Sequence, residues 1–455
     1  MSGLRGNWAI QPRRFCSRTA SILSKHFNLN AKVVIALNAK VVIAGTFNFP
    51  GGSASASRVR NLALGLVEAG TSVHVISMVS PSPTVFDEAC SCQWNYHGIT
   101  YEFASPYCAL RTATGPFAPV RQFARKLIWL RRLYASAKPA HQSLERMILS
   151  GRCDLFIGYG RMLSLLRPLL RVCQRHRIVG IIDVVEIPGS TTGFGGCLSP
   201  LWWEEKLGCA YFAKHCEGLT TITTTLQEYY EKRGAQKVLV LPSLAERRDF
   251  HAPPIHDSNQ PFTLAYVGAL SDRDNPELMF AVMRELIATG NNVRLKVVGR
   301  YQAHAAGRRW LERCRSEPAL HSGVEFVGEL SEVELRQSMN KADALILMRR
   351  NAYSEWASFP TRLVEYLDFG LPVFASAVGD IPCYLVHNRH AILLSGEDPR
   401  TIAESICSVI ASPDRGRDLG LQGRLRGEGC FDRAVHARRL LQFAAELRTE
   451  PVIAQ

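Results

Sequence analysis

The sequence predicts an α/β protein with two doubly wound, parallel-sheet domains. Short β-branched apolar runs alternate with longer helical patterns along most of the 455 residues, which is typical of parallel strands covered by helices. The proline-rich stretch from Pro242 to Pro261 interrupts this alternation, and a second series of runs follows it. The chain length and a hydrophobic content of 47% are sufficient for two cores.

The apolar runs define the strands that we expect. In the N-terminal half they are residues 41–44, 73–76, 155–157, 178–182, 219–222 and 238–241. In the C-terminal half they are residues 264–267, 297–298, 324–327, 345–347 and 373–375. Residues 29–36 and 37–44 both have the sequence LNAKVVIA. The second copy leads into a glycine loop, so we assign it to the first core strand and treat the first copy as an insertion.

Composition and strand series together predict five segments. They are a basic N-terminal extension at 1–30, an N-terminal domain at 31–245, a linker at 246–260, a C-terminal domain at 261–430, and a C-terminal helix at 431–455 that can cross back to the N-terminal domain. The extension has five basic residues and no acidic one, but it lacks the apolar core of a secretion signal. A transit peptide, a disordered arm and a misplaced start codon all remain open interpretations.

The net charge of +14 lies entirely in the N-terminal half. Residues 1–245 contain 28 Lys and Arg against 13 Asp and Glu, whereas residues 246–455 contain 26 against 27. Residues 111–177 alone have fourteen basic residues and two acidic ones. Such a surface attracts phosphate on a lipid, a nucleic acid or a glycan carrier. The pattern at 121–134 predicts either a core helix with a solvated face or an interfacial helix on anionic lipid.

Several classes of protein are disfavoured. No apolar run approaches the ~18 residues of a membrane-spanning helix, and the thirteen cysteines are scattered, which fits a reducing cytosol. The histidines lack metal-ligand spacing, and no P-loop, GxSxG or GxGxxG motif occurs. We therefore expect a cytoplasmic protein, soluble or peripheral at the inner face of the membrane, that uses no metal or other cofactor.

The most informative segment is SFPTRLVEYLDFGLP at 358–372. We interpret Ser358 as a helix N-cap and Pro360 as a first-turn residue, with Gly370 ending the helix after about three turns. Backbone amides near Thr361 and Arg362, at the positive end of the helix dipole, then form an anion site that suits a diphosphate.

Glu365 lies one turn beyond Thr361 on the same helical face, roughly 6 Å along the axis. A carboxylate at that place can accept hydrogen bonds from ribose hydroxyls. The alternative is an ordinary capped helix with a solvated glutamate.

This segment resembles the PTKLxEYLAxGxPVVA motif of the retaining family 4 glycosyltransferases. The resemblance continues through YVGALSDRDNPELMFAVMREL at 266–286 and VEFVGELSEVELRQSMNKADALIL at 324–347, and it includes AGTFNFPGGSASASRVRNLALGLVEAGTSVHVIS at 44–77. It implies the GT-B architecture, in which two Rossmann-like domains face a central cleft. It also implies metal-independent transfer of a sugar, with retention, from a nucleoside-diphosphate sugar to a glycan or lipid-linked acceptor.

The resemblance also implies site residues, although it identifies no catalytic side chain. The predicted donor-binding residues are Gly51, Gly52, Gly268, Arg273, Ser358, Pro360, Thr361, Arg362 and Glu365. On the acceptor side we expect Arg58, which follows the glycine loop, and Asp183 and Glu186, which follow a strand at its carboxyl end.

The chain departs from the family at three places. Ala357 stands where many members have a first glutamate, with Glu355 nearby, and Ala269 and Asp274 replace two phosphate-clamping cations. Alternative functions are therefore a non-catalytic sugar-nucleotide-binding subunit or a GT-B epimerase or phosphorylase.

No nucleic-acid partner is expected, since the basic run contains one tryptophan and no recognised module. Asp272 and Asp274 form a DxD pattern that can hold a metal, but we interpret Asp274 as part of a helix cap.

Overall fold

A computed structural model describes residues 38–51, 53–79, 93–104, 131, 133–188, 200–245, 250 and 259–449. The chain divides into two compact units. The N-terminal unit contains the described residues of 34–254, 351–370 and 427–455, and the C-terminal unit contains those of 255–350 and 371–426. The segment at 351–370, predicted as part of the C-terminal domain, thus packs with the N-terminal unit.

The N-terminal unit is built on an eight-stranded sheet with the order β3-β4-β2-β1-β5-β6-β7-β8. Its strands are β1 Lys40–Gly45, β2 Ser72–Ser77, β3 Trp94–Tyr96, β4 Ile99–Phe103, β5 Leu155–Tyr159, β6 Val179–Val184, β7 Gly218–Thr221 and β8 Val238–Val240. All neighbours are parallel except β3 and β4. The six predicted runs of this half all form strands, and the second LNAKVVIA copy forms β1. The first copy lies outside the described residues.

The C-terminal unit is built on a six-stranded parallel sheet with the order β11-β10-β9-β12-β13-β14. Its strands are β9 Phe262–Val267, β10 Val293–Val298, β11 Val324–Gly328, β12 Ala344–Leu347, β13 Val373–Ser376 and β14 Ile392–Leu394. This order reverses direction between β9 and β12, as in the doubly wound fold that binds dinucleotides. The predicted fold class, two Rossmann-like parallel-sheet domains, is confirmed.

Helices cover both sheets. In the N-terminal unit they are α1 Ala54–Glu68, α2 Ala137–Leu149, α3 Leu163–Arg175, α4 Pro200–His215, α5 Thr224–Glu231, α10 Tyr353–Trp356, α11 Thr361–Asp368 and α15 Arg433–Thr449. The remaining helices are α6 Pro276–Ala288, α7 Ala305–Ser316, α8 Pro318–Gly323, α9 Glu332–Met339, α12 Ile381–Tyr384, α13 Pro399–Ile410 and α14 Pro413–Phe431. Among the described helices, none combines the length and apolar character needed to cross a bilayer.

The C-terminal helix α15 packs on α1, the helix that follows the glycine loop. A side chain at Gly65 of α1 would place its Cβ 2.4 Å from the Arg433 carbonyl oxygen, so only glycine permits this crossing. Leu440 of α15 and Leu62 of α1 are both buried in the core of the N-terminal unit. The end of the chain therefore holds α1 against the sheet.

Candidate functional site

Helix α11 begins later than the sequence indicated. Its N-cap is Pro360, with ψ 109°, and the first helical residue is Thr361. The assignment of Ser358 as the N-cap is therefore wrong. The extended backbone at Pro360 excludes an earlier helix start, and the Ser358 hydroxyl donates to the Glu355 carbonyl instead, at 3.4 Å. The predicted end is correct, since Gly370 adopts φ +67° immediately after the C-cap Phe369.

The outer face of α11 borders a small cavity within the N-terminal unit. The cavity volume is about 40 Å³. It is lined by residues of α1 and α11 and by the segment after β8, namely Ser57, Arg58, Arg60, Asn61, Ser243, Leu244, Ala245, Thr361, Val364, Glu365 and Asp368. Thr361 is half-buried and Glu365 is exposed. The structure thus brings together three predicted site residues, Arg58, Thr361 and Glu365, around one cavity.

Arg58 is held there by a buried ion pair. Its guanidinium donates from Nε to Asp183 Oδ2 and from Nη2 to Asp183 Oδ1, both at 2.8 Å. Thr220 donates to the same carboxylate at 2.7 Å. Burial lowers the pKa of Arg58, but the attraction and hydrogen bonds of Asp183 outweigh it, so the pKa lies above its ordinary value.

The acceptor-side prediction for Asp183 needs correction. Asp183 is 1% exposed, and its carboxylate accepts three hydrogen bonds from Arg58 and Thr220. A carboxylate satisfied in this way serves to position Arg58 rather than to contact an acceptor hydroxyl.

Glu186 lies beside a second buried arginine, Arg161, at 3.7 Å. Arg161 also pairs with Glu205 at 3.0 Å, and these carboxylates overcome the effect of burial and raise the pKa of the guanidinium. Arg161 follows β5, beside the point where the strand order reverses, which is where open α/β sheets bind ligands. Arg161 was not among the predicted site residues, although an arginine just beyond the carboxyl end of a core strand is a usable signal in the sequence.

The glycine loop is only partly described, because Gly52 lies outside the described residues. Gly51 is half-buried, and its carbonyl accepts from the Ser53 amide at 3.1 Å. A Cβ at Gly51 would meet Asn48 at an ordinary 3.7 Å. Packing within the protein therefore does not require glycine at 51, and the predicted approach of a ligand stays a prediction.

In the C-terminal unit, Gly268 and Arg273 both follow β9. The Gly268 amide donates to the Val298 carbonyl at 2.8 Å, and a Cβ at Gly299 would lie 2.5 Å from the Gly268 carbonyl oxygen. Arg273 lies in a short 3-10 turn, Asp272–Asp274, and is half-buried. The ends of β9 and β10 are therefore closely packed beside this cation.

Asp274 caps its own turn, as its position before Asn275 and Pro276 indicated. Its carboxylate accepts from the amide and the hydroxyl of Ser271, at 2.9 and 2.7 Å, and it is 1% exposed. Asp272 is exposed and lies 3.5 Å from Arg309. The two carboxylates of the DxD pattern thus have different partners.

Comparison with known proteins shows which proteins share this architecture. Residues 261–412 match the family model described as Glycosyl transferases group 1. The chain carries a group 1 glycosyl transferase domain on a GT-B fold. The predicted resemblance to glycosyltransferases of this architecture is confirmed by the family match and by similar structures; the family number stays a prediction.

A curated relative is the D-inositol 3-phosphate glycosyltransferase of Segniliparus rotundus, which is 25% identical over 160 residues. That match covers 35% of this chain, and the chain spans 34% of the relative. Two solved structures have the same fold. One is a sucrose-phosphate synthase from Thermosynechococcus elongatus, with 16% identity, a TM-score of 0.64, and coverage of 90% of this chain and 99% of that chain. The other is HepE of Anabaena in complex with UDP and glucose, with 14% identity, a TM-score of 0.61, and coverage of 90% and 100%.

Proposed function

We propose that this protein transfers a sugar from a nucleoside-diphosphate sugar to a glycan or lipid-linked acceptor. The observation that carries the proposal is the face of α11 on which Thr361 and Glu365, both within the matched family segment, border one cavity. The first amides of a helix have no partner within the helix and attract anions, which suits a diphosphate at Thr361. The exposed Glu365 one turn later suits ribose hydroxyls. The UDP complex of the structurally similar HepE supports uridine nucleotides as the first donors to test.

The reaction that we propose proceeds with retention and without a metal. The leaving diphosphate acquires negative charge as the glycosidic bond of the donor breaks. Amides at the start of α11, the Thr361 hydroxyl and the Arg362 guanidinium stabilise that charge. Preorganised donors of this kind do not need to reorient during the reaction.

We assign the acceptor-binding site and the surface that docks on the membrane to the basic N-terminal unit. Arg167, Arg171 and Arg175 are spaced one turn apart along α3. With His141 and Glu204, they line an open groove of about 470 Å³. A row of cations attracts a phosphate-bearing acceptor or an anionic lipid surface. We infer that the protein works at the inner face of the membrane, in the synthesis of a polysaccharide or a lipid-linked glycan.

A donor screen tests the function. The protein is incubated with UDP-, GDP-, ADP- and dTDP-sugars, and saturable binding and release of the nucleoside diphosphate are measured. We expect donors with one particular base to bind. Slow hydrolysis of the bound donor should release the nucleoside diphosphate. In NMR spectra of a transfer product, the anomeric configuration of the sugar should be retained. An isomerised donor without release would indicate an epimerase, and binding without turnover would indicate a non-catalytic subunit, a role that Ala357 favours. Absence of binding to every donor would contradict the proposal.

A further inference from the structure

Three polar atoms of residues that line the cavity between α1 and α11 are buried without a hydrogen-bond partner among the described residues. They are Oδ1 of Asn61, Oγ of Ser243 and Nε of Arg60. Asn61 is 6% exposed and Ser243 is 3% exposed. Buried polar groups almost always have partners, and an unmade bond costs stability. That three such atoms belong to residues lining one cavity is the observation from which we argue for a bound group that supplies the missing bonds.

The orientation of the Asn61 amide is fixed. Its Nδ2 donates to the Leu244 carbonyl at 2.9 Å. Because a carbonyl oxygen can only accept, the nitrogen must face Leu244 and the oxygen is the atom without a partner. Asn61 therefore offers the ligand an acceptor.

The chemistry of the cavity favours hydroxyl groups. Asn61 Oδ1 accepts, Arg60 Nε donates, and the Ser243 hydroxyl does either. A hydroxyl group can meet both requirements, whereas a phosphate only accepts. Glu365 and Asp368, one and two turns beyond Thr361, also line the cavity, and their carboxylates disfavour an anion at their end of it. A simple cation is disfavoured by Arg60 of α1, which also lines the cavity.

The size of the cavity limits how much of a ligand enters. One water-sized group needs roughly 10–15 Å³ of this kind of volume, so about 40 Å³ admits two or three such groups. A pair of neighbouring hydroxyls fits this space, and a complete sugar ring does not. Since Glu365 lines the same cavity, the ribose of the donor is the nearest source of such a pair.

We infer that Asn61 and Ser243 form a subsite that binds the vicinal hydroxyls of the donor ribose, opposite Glu365. The inference rests on the proposed function, because it assigns two further residues to the same donor site. It also explains why the segment after β8 retains a buried serine hydroxyl without a protein partner.

The test uses the full chain and the Ser243→Ala variant. Removing a hydroxyl that has no protein partner should leave the melting temperature of the free protein unchanged or raise it. The same change should weaken nucleoside diphosphate binding about 3- to 10-fold, the effect of one lost hydrogen bond. Calorimetric titration with UDP, GDP and ADP measures this effect, and the 2′,3′-dideoxy form of each nucleotide should bind equally to both proteins.

A matched control is Ser136→Ala. Ser136 is also buried, but its hydroxyl donates to the Leu133 carbonyl at 2.6 Å. This variant should melt at a lower temperature and bind nucleotides as the wild type does. Equal binding of the natural nucleotides by wild type and Ser243→Ala would overturn the subsite and leave the transferase proposal standing. An equal loss for natural and dideoxy nucleotides would also overturn it. A wild-type protein that binds none of the nucleotides would overturn both proposals.

Discussion

Arg58 and Asp183, which are 125 residues apart, form a buried two-point ion pair that ties α1 to the carboxyl end of β6. The remaining guanidinium donors bind the carbonyls of Leu241 and Pro242, each at 3.0 Å. Those carbonyls immediately precede Ser243. Arg58 therefore fixes two of the three segments that line the cavity, α1 and the segment after β8.

Replacing Asp183 with Asn should strongly destabilise the protein. The change keeps the side-chain volume but leaves the Arg58 charge buried without its counter-ion, which typically costs about 3–5 kcal/mol. Urea unfolding measures the free energy of unfolding. The control is Glu228→Gln, which removes an exposed pair with Lys232 at 3.5 Å and should change stability by less than about 0.5 kcal/mol. Similar effects from both variants would contradict a structural role for Asp183.

The strands were predictable because buried parallel strands are continuous apolar runs, whatever their tertiary neighbours. The antiparallel pair β3 and β4 was missed. Its strands are rich in aromatics, and the two residues between them, His97 and Gly98, have φ +48° and +84°. A two-residue turn with positive φ at both positions is a hairpin signal, but histidine seldom occupies such a position.

The candidate site was predictable only where helical spacing determines it. Thr361 and Glu365 share a face because they are four residues apart on one helix. Asp183 was placed correctly at a strand end, but its neutralisation by Arg58 depends on a distant contact. Asn61 and Ser243 carry no local pattern at all, since a single polar residue in a helix or after a strand is usually solvated.

Replacing Glu365 with Gln should weaken donor binding by about 1.5–3 kcal/mol, since hydrogen bonds to a charged acceptor are stronger than neutral ones. Titration of the nucleoside diphosphate measures the loss. The control is Glu404→Gln, an exposed glutamate 3.4 Å from Arg400, which should bind as the wild type does. Glu355→Gln should have a smaller effect than Glu365→Gln, and a loss of equal size in both would contradict the assignment of the ribose to Glu365.

Chelation should leave nucleoside diphosphate binding unchanged. The phosphate site that we propose consists of the α11 amides, the Thr361 hydroxyl and Arg362, and the Asp274 carboxylate is already bound to Ser271. Binding is compared after dialysis against a chelator, with and without added magnesium or manganese. If nucleotide binding were lost on chelation and recovered with added metal, Asp272 and Asp274 would again be candidate metal ligands.

Stability should fall in mild acid because of His436. Burial lowers its pKa to about 4 from an ordinary 6.5, with a further contribution from Arg439; Asp432 opposes the shift and Arg58 adds to it. Between these two values the unfolded chain binds a proton that the folded chain does not, so the free energy of unfolding decreases as the pH falls through this window.

The contribution of His436 is at most about 1.4 kcal/mol per pH unit. His436→Gln keeps a donor and an acceptor but does not titrate, so its stability should depend less on pH between 6.5 and 4. His304→Gln, on an exposed residue, is the control. Parallel pH profiles for wild type and His436→Gln would refute this account.

Anionic vesicles should bind the protein through its basic N-terminal unit. Of the helical pattern at 121–134, the structure describes only residues 131, 133 and 134, with Leu133 buried. The prediction therefore concerns the exposed Arg171 and Arg175 of α3. Each cation near an anionic surface contributes about 1 kcal/mol, so the double change to Gln should lower the bound fraction in co-sedimentation on the order of tenfold or more.

Salt and lipid composition separate membrane docking from attraction to a soluble polyanion. Docking should disappear with neutral vesicles and weaken strongly at about 1 M salt, where the screening length falls to about 3 Å. A surface that only attracts a soluble acceptor binds no vesicles at any salt concentration. The control is a double change of Arg400 and Arg417 to Gln in the C-terminal unit, where both arginines are exposed and have acidic neighbours. If the wild-type protein stays in the supernatant with anionic vesicles at low salt, membrane docking is wrong, and the transferase proposal is unaffected because it depends on α11 and not on α3.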